Sequence, residues 1–212
     1  MEPTINATPI EQKTSKIQFE NALSLFVPLK IGEKRDLIHF YFYPDDQQEK
    51  PIIKTQSLKV TREAVINGTE GYEILNCTQH LYVVAKDNGY HIEVEMTERP
   101  NGEIWIVKSD YVYPKQLIKG QIHENHGRSF ELVGDYELVV DGKRFPCLLI
   151  TYRLPNGLNK YFVDKDGQPL LKMNYHSKGH NFYEKGSFKR GIEFEGVHYT
   201  PIYFSMLSSL LL

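Results

Sequence analysis

The strongest constraint on the fold of this chain is a series of turn dipeptides between short apolar runs. Asn-Gly and Asp-Gly supply the positive φ angles that tight β-hairpins require. Six such pairs occur, at Asn67-Gly68, Asn88-Gly89, Asn101-Gly102, Asp141-Gly142, Asn156-Gly157 and Asp166-Gly167. Their spacing is typical of an antiparallel meander. The sequence therefore predicts a mainly β protein with a single large curved sheet, either open or a half-barrel.

Alternation between the turns indicates strands with one buried and one solvated face. Ile92, Val94 and Met96 alternate with polar residues, and we expect the three to share the core face. Leu138 and Val140 form a second set that is predicted to point into the core.

Residues 38–43 show a different pattern, because the run Ile-His-Phe-Tyr-Phe-Tyr is apolar or aromatic at nearly every position. A strand of this kind is typically buried on both faces. We expect it either to be covered on both sides or to close over a cavity.

The chain has 212 residues and no Pro/Gly/Ser-rich linker, so we interpret residues 1–212 as one β-rich domain. A boundary near residue 115 is the alternative. Residues 1–16 are expected to be a flexible arm or the start of a helix.

A helix near the N-terminus is predicted by Thr8–Glu11, which has the form of a capping box with proline at the first helical position. Phe19, Ala22, Leu23 and Phe26 follow at helical spacing. The alternative is an irregular arm followed by an edge strand.

Charge and cysteine content exclude several classes of protein. With 25 basic and 27 acidic residues the net charge is −2, so we expect no nucleic-acid partner. No stretch is long and apolar enough for a transmembrane segment or a secretory signal. The compartment stays open, since an envelope location would require a leader removed beforehand. Cys77 and Cys147 are interpreted as separate core thiols rather than a disulfide.

Histidine pairs are the first candidates for metal binding. His123 and His126 lie three residues apart, and His176 and His180 lie four apart near a predicted hairpin tip. No third ligand can be named for either pair, so we predict no metal site, no cofactor and no catalytic residue. The alternative is a metal-assisted or other hydrolase whose histidines and carboxylates meet only in the folded chain.

The most suggestive feature is aromatic, since the chain contains 14 tyrosines, 11 phenylalanines and one tryptophan. In an unbroken strand over residues 105–113, every second residue would lie on one apolar face with polar tips. We predict that this face binds an amphipathic ligand. The predicted ligand-binding residues are Trp105, Val107, Tyr111 and Tyr113. The alternative interpretation is an ordinary sheet core.

Two segments carry a resemblance to known proteins. Val27–Arg35 resembles the opening of a group of uncharacterised bacterial envelope proteins. Tyr136–Tyr175 is similar to the strand–turn–strand run near the end of those proteins, and to part of the periplasmic lipoprotein-carrier fold. The resemblance implies an open half-barrel whose concave face accepts lipid-like ligands, and it implies no catalytic residues. Those proteins carry an export signal, which the sequence as given lacks.

These observations favour a non-enzymatic binding or scaffolding protein whose concave sheet face holds an apolar or amphipathic molecule. The expected partner is a lipid-like or other hydrophobic small molecule. The apolar segment Tyr203–Leu212 also predicts a homo-oligomer contact, unless this tail folds back onto the core.

Overall fold

The computed structural model describes residues 3–19, 31–32, 34–42, 51–76, 79–87, 89–99, 101–177 and 192–212. Most of these residues belong to β-strands. The strands are β1 (Ile5–Pro9), β2 (Lys16–Gln18), β3 (Lys34–Tyr41), β4 (Ile52–Ile66), β5 (Thr69–Asn76), β6 (Gln79–Lys86), β7 (Gly89–Glu98), β8 (Ile104–Tyr113), β9 (Gln116–Ile118), β10 (Ile122–Asn125), β11 (Arg128–Val140), β12 (Lys143–Leu154), β13 (Gly157–Val163), β14 (Pro169–Ser177), β15 (Ile192–Phe194) and β16 (Val197–Leu207), followed by a 3₁₀ turn at Ser208–Leu211.

One fourteen-stranded sheet contains most of these strands, in the order β1-β11-β12-β13-β14-β16-β3-β4-β5-β6-β7-β8. Strands β10 and β15 attach to β11 and β16, and β2 pairs with β9 in a separate small sheet. The paired strands run antiparallel, and in the part of the chain that the structure describes the edges β1 and β8 do not pair with each other. The predicted mainly β fold with one large antiparallel sheet is confirmed.

Two of the turn dipeptides adopt positive φ at both residues as the sequence predicts, whereas neither residue of Asn156-Gly157 does. Asn67 and Gly68 join β4 to β5 with φ angles of 51° and 79°. Asp141 and Gly142 join β11 to β12 with φ angles of 48° and 83°. Positive φ at both central residues gives the type of two-residue turn that matches the twist of the flanking strands.

The sheet curls so that its far ends meet. Strands β8 and β11 are ten positions apart in the sheet order, and a flat sheet would separate them by roughly 48 Å at about 4.8 Å per strand. Instead, the ring of Tyr113 on β8 lies with its centroid 5.7 Å from that of Phe130 on β11 and 6.4 Å from that of Tyr152 on β12. We call the side enclosed by this curl the inner face.

A hydrophobic cluster fills the inner face and draws on strands from both ends of the sheet. Its members include Leu37, Val60, Ile74, Val83, Ile92, Leu132, Ile150 and Tyr161. A second cluster lies on the outer face of β11 to β14, β16 and β3, and includes Phe40, Leu138, Val140, Leu149, Phe162, Leu171, Met206 and Leu210. The central strands are therefore buried on both sides.

Several predicted core positions are confirmed. Leu138 and Val140 are fully buried. In the aromatic strand β3, Phe40 faces the outer cluster, whereas His39 is buried on the inner face. This strand is covered on both sides, as expected from its sequence.

The prediction that Ile92, Val94 and Met96 share one face is wrong. Ile92 pairs with Val83 and Val94 pairs with Tyr82, two neighbours in β6 whose side chains must point to opposite faces. A β-bulge between Ile92 and Val94 causes the switch, because one extra residue in a strand reverses its alternation. Ile92 therefore lies in the inner core, and Val94 lies on the outer face.

The helix predicted to begin at Thr8–Glu11 is not present. Ile5–Pro9 forms β1, which pairs with β11, and residues 10–15 follow without helical structure. Pairing with the open edge of β11 satisfies the backbone of this segment, whereas a helix as short as a capping box is unfavourable on its own. The continuation of the predicted helix at residues 22–26 lies outside the described residues.

The C-terminal segment folds back onto the sheet. Leu210, in the 3₁₀ turn, is buried in the outer cluster, while Leu212 is exposed. The homo-oligomer contact predicted for this tail stays a prediction. Within the described ranges, no helix has the length and apolar character needed to cross a membrane.

Candidate functional site

The inner face holds a cavity of about 430 Å³ between the ends of β4, β5, β6 and β7. Its walls combine small and apolar residues with two tyrosines and two glutamates. The lining residues are Glu63, Ala64, Val65, Glu70, Gly71, Tyr72, Val83, Val84, Ala85 and Tyr90. A volume of this size is within the range of small-molecule sites.

A bulge in β4 creates the acidic side of this cavity. The register shifts between Val60 and Arg62, so Val60 pairs with Ile74 whereas Arg62 pairs with Glu73. Because Ile74 and Glu73 are neighbours in β5, the shift moves the side chains that follow to the opposite face. Glu63 is thereby brought to the inner face, where it pairs with Tyr72.

The floor of the cavity depends on a close approach of two strands. A Cβ atom at Gly71 would lie 2.2 Å from the carbonyl oxygen of Val83 and 2.8 Å from Cγ1 of Val84. Only glycine fits at this position without moving the backbone. On the inner face, Ala85 pairs with Tyr90, and its small side chain leaves the space beside the tyrosine ring open.

The charges of the cavity are carried by Glu63 and Glu70, which are both exposed. Neither carboxylate has a hydrogen bond or ion pair among the described residues. The two tyrosines are held differently: Tyr90 donates its hydroxyl to the carbonyl oxygen of Phe19 at 3.1 Å, and Tyr72 packs against the inner core. The ring of Tyr72 beside these carboxylates is the kind of surface that attracts an organic cation.

A second feature, the inner polar patch, lies on β13, β14, β16 and β3. Cross-strand pairing aligns Tyr161 with Lys172, Lys172 with Ser205, and Ser205 with His39. The neighbouring row aligns Asn159 with Asn174, Tyr203 and Tyr41 in the same way. The inner polar patch consists of His39, Tyr41, Asn159, Tyr161, Lys172, Asn174, Tyr203 and Ser205.

His39 is the most unusual residue of the inner polar patch. It is 8% exposed, and neither ring nitrogen has a hydrogen-bond partner among the described residues. Its ring stacks on Tyr41 at 5.9 Å and lies 6.1 Å from Tyr203. Burial, together with the positive charge of Lys172, lowers the pKa of His39 to about 4. The imidazole is therefore neutral at physiological pH.

The inner polar patch lacks the arrangement of an activated nucleophile. Ser205 is the cross-strand neighbour of His39, yet it makes no hydrogen bond to either ring nitrogen. A serine nucleophile needs a base within hydrogen-bond reach and a third group to orient that base. The patch contains no carboxylate to take the third role.

The register of β8 relates the predicted ligand-binding residues to the cavity. Tyr113 pairs with Tyr90, which lines the cavity, and Tyr111 pairs with Ile92 in the adjoining row. Tyr113 is buried in the inner core, and nothing is described of the Tyr111 side chain.

Trp105 and Val107 lie further along β8, where they pair with Thr97 and Glu95 and are exposed. The guanidinium of Arg99 lies 3.3 Å from the centroid of the Trp105 ring. The structure therefore separates this pair from the buried Tyr113. Ligand binding by the four residues stays a prediction.

The histidine pairs do not come together as a metal site in the described ranges, which hold no group of three or more His, Cys, Asp and Glu side chains suited to a metal ion. His123 lies in β10, whereas His126 occupies the following turn with a φ angle of 49°. His180 lies outside the described residues.

Cys77 also lies outside the described residues. Cys147 is buried and unbridged, and its thiol donates to the carbonyl oxygen of Tyr136 at 3.4 Å. Burial raises the pKa of Cys147 to about 12, so the thiol is unreactive near neutral pH.

A buried carboxylate that sequence analysis missed lies on the outer face. Glu73 accepts hydrogen bonds from Arg62 at 2.7 Å, Tyr82 at 2.9 Å and Thr61 at 2.9 Å. His80 Nδ1 lies 3.0 Å from Oε1 of Glu73, the oxygen that also accepts from Tyr82. Burial would raise the pKa of Glu73, but these hydrogen bonds outweigh it and lower the pKa to about 2. A carboxylate so fully satisfied has a structural role.

Sequence reasoning also missed the glutamates and tyrosines of the cavity. Glu63 and Glu70 occupy positions that an unbroken β4–β5 hairpin would present as ordinary solvated charges. The one available signal was Gly71, an isolated glycine within a strand, which often marks close backbone approach. Comparison of the chain with protein-family models, with curated proteins and with solved structures found no match.

Proposed function

We propose that this protein is a non-enzymatic binding protein that holds a small amphipathic molecule on the inner face of its curled sheet. The observation that carries this proposal is the cavity of about 430 Å³ with apolar walls and two exposed carboxylates. Clefts of this size with a few polar groups are the usual form of ligand sites.

The lining of the cavity favours a ligand with a cationic head group. Glu63 and Glu70 supply negative charge at the rim, and the ring of Tyr72 supplies a negative π face. The ring of Tyr90 already lies 5.8 Å from the ammonium of Lys115. The apolar part of the ligand would lie against Val83 and its neighbours. Its burial would contribute roughly 25 cal/mol per Å² removed from water.

The proposal keeps the lipid-like ligand that the aromatic residues of β8 predict, but it places the binding site in the cavity rather than along the whole strand. Tyr113 adjoins the cavity through Tyr90, whereas Trp105 lies several residues away along β8. The ligand is therefore expected to lie near the Tyr113 end of β8 rather than near Trp105.

Calorimetric titration with dodecyltrimethylammonium and dodecyl sulfate, both below their micelle concentrations, tests the proposal. We expect the cationic amphiphile to bind at least roughly tenfold more tightly than the anionic one, a difference of about 1.4 kcal/mol. The double variant Glu63→Gln/Glu70→Gln should lose this preference. Ala85→Trp should block binding of both, because the indole fills the cavity.

Glu98→Gln is the matched control, since Glu98 is an exposed strand glutamate at the end of β7 opposite Tyr90, roughly 26 Å away along the strand. It should bind both amphiphiles as the wild type does. Absence of binding in a folded sample, or binding that Ala85→Trp leaves unchanged, would refute the proposal.

A further inference from the structure

The edge strand β8 exposes a continuous apolar segment on both of its faces. The exposed fractions of Ile104, Trp105, Ile106 and Val107 are 58%, 47%, 67% and 53%. Among the described residues β8 pairs only with β7, so its other side presents unpaired backbone groups. Native proteins normally protect such an edge with charges, proline or a cover, because an exposed apolar edge recruits another strand.

The hydrogen bonds of the β7–β8 turn identify which backbone groups face the free edge. The amide of Arg99 donates to the carbonyl oxygen of Glu103 at 2.9 Å, so Glu103 directs its carbonyl towards β7, while its amide donates to Oδ1 of Asn101. Successive residues of a strand direct these groups to alternate sides. The free groups therefore belong to Ile104, Ile106 and Lys108.

We infer that β8 pairs antiparallel with β8 of a second copy of this chain, about a two-fold axis at Ile106. A two-fold axis normal to the sheet leaves each side chain on its own face, so the axis must pass midway between one residue and the same residue of the second copy. An axis at Ile106 pairs Ile104 with Lys108 of the second copy and Ile106 with itself. The three free sets of backbone groups are then satisfied in both strands.

The charges around β8 favour this axis over the neighbouring one at Trp105. An axis at Trp105 would place Glu103 beside Val107 of the second copy, whose neighbour in β7 is Glu95. Two carboxylates would then lie in one cross-strand row, which is unfavourable.

With the axis at Ile106, charges of opposite sign lie near each other instead. Trp105, which already lies beneath the guanidinium of Arg99, meets Val107 of the second copy and brings Arg99 towards Glu95 of that copy. On the outer face, Lys108 of the second copy meets Ile104, whose neighbour in β7 is Glu98. Apolar contacts thus lie at the centre of the interface and ion pairs at its margin.

Sedimentation velocity of the full chain over a concentration series tests this dimer. We expect a reversible doubling of mass that is well populated at roughly 100 µM, since a contact confined to one strand edge is small. Ile106→Lys should remove the dimer, because it places two like charges on the axis. Ile53→Lys is the matched control on β4, where the exposed isoleucine lies on a strand paired to β3, and it should still dimerise.

Single cysteines distinguish this register from other edge pairings. In a Cys77→Ser background, Ile106→Cys should form a disulfide-linked dimer under mild oxidation, because residues on the axis approach to about 5.5 Å between Cα atoms. Ile104→Cys should not, since two symmetry-related copies of residue 104 lie roughly 14 Å apart along the strands.

Three results would overturn the inference. They are a wild-type chain that remains monomeric throughout the series, a dimer that survives Ile106→Lys, and cross-linking of Ile104→Cys in preference to Ile106→Cys. None of these outcomes depends on ligand binding in the cavity.

Discussion

Two buried ionisable side chains in this sheet differ in charge state: Glu73 is charged and His39 is neutral. Glu73 keeps its charge, because hydrogen bonds from Arg62, Tyr82, Thr61 and His80 outweigh its burial and depress its pKa to about 2. His39 has no such partner and avoids charge, with its pKa lowered to about 4 by burial and then by Lys172. Burying a charge is costly unless hydrogen bonds compensate, and the two sites show both sides of this rule.

The low pKa of His39 predicts a loss of stability in mild acid. Between the unfolded value of 6.5 and the folded value of about 4, the unfolded imidazole takes up a proton that the folded one excludes. The stability present above pH 6.5 is therefore lost as the pH falls through this window. Relative to His39→Phe, the wild type should lose about 2 kcal/mol between pH 7 and pH 5, measured by urea unfolding.

Lys172→Met separates the two causes of this shift. It removes the positive charge but not the burial, so its loss of stability in the same window should be smaller than that of the wild type and larger than that of His39→Phe. An equal pH dependence in the wild type and His39→Phe would contradict a depressed pKa at this residue.

Bulges are the elements that organise the inner face. The shift in β4 brings Glu63 into the cavity, and the shift in β7 moves Val94 away from the core. A third shift, between Leu132 and Gly134 in β11, separates residues of the inner cluster from residues of the outer cluster along one strand. Each extra residue reverses the alternation of side chains for the rest of its strand, so a single strand can contribute side chains to both the inner and the outer cluster.

The bulge of β11 also fixes the N-terminal arm. Gln12 lies against Gly134, where it accepts a hydrogen bond from the amide of Asp135 at 3.0 Å. Asp135 in turn accepts from the amides of Lys13 and Thr14 at 3.0 and 2.9 Å. Gly134 has a φ angle of 145°, and a Cβ there would lie 1.6 Å from Oε1 of Gln12.

Gly134→Val should therefore release the arm. The added side chain displaces Gln12 and strains the backbone, at a cost of about 1–3 kcal/mol. Hydrogen exchange of the Lys13 and Thr14 amides should become faster, because the hydrogen bonds to Asp135 weaken.

Gly142→Ala provides the comparison for backbone strain alone. Gly142 has a φ angle of 83°, and nothing lies within 4 Å of an added Cβ. This variant should lose roughly 1 kcal/mol and leave the exchange of Lys13 and Thr14 unchanged. Equal protection of these amides in Gly134→Val and wild type would show that the arm is held by other contacts.

At the scale of the whole molecule, the curl of the sheet depends on aromatic contacts between strands far apart in order. Tyr113 connects β8 to Phe130 and Tyr152, which stack on each other at 4.2 Å. This three-ring contact brings one edge of the sheet against the strands near the other.

Tyr113→Ala should destabilise the protein strongly, by about 3–5 kcal/mol, as truncation of a buried aromatic residue usually does. Trp105→Ala removes an exposed aromatic residue from the same strand and should cost at most about 1 kcal/mol, including its contact with Arg99. Urea unfolding of both variants measures the difference. Similar losses from the two substitutions would contradict a curl held by Tyr113.

The sequence by itself determined the strand content, the hairpin turns and many of the buried positions. These features depend on local chemistry: Asn67-Gly68 turns the chain with positive φ at both residues, and Leu138 and Val140 alternate within a regular part of one strand. Such patterns need no knowledge of the neighbouring strands.

Only the tertiary structure decided which face each side chain occupies after a bulge and which distant strands meet. Ile92, Val94 and Met96 alternate regularly in the sequence, but the extra residue at the bulge places Val94 and Met96 on the face opposite to Ile92. The environment of His39 and the cavity around Glu63 depend on strands far apart in the chain. Both depend on the register between strands, and the residue pattern within one strand does not specify which strand it pairs with.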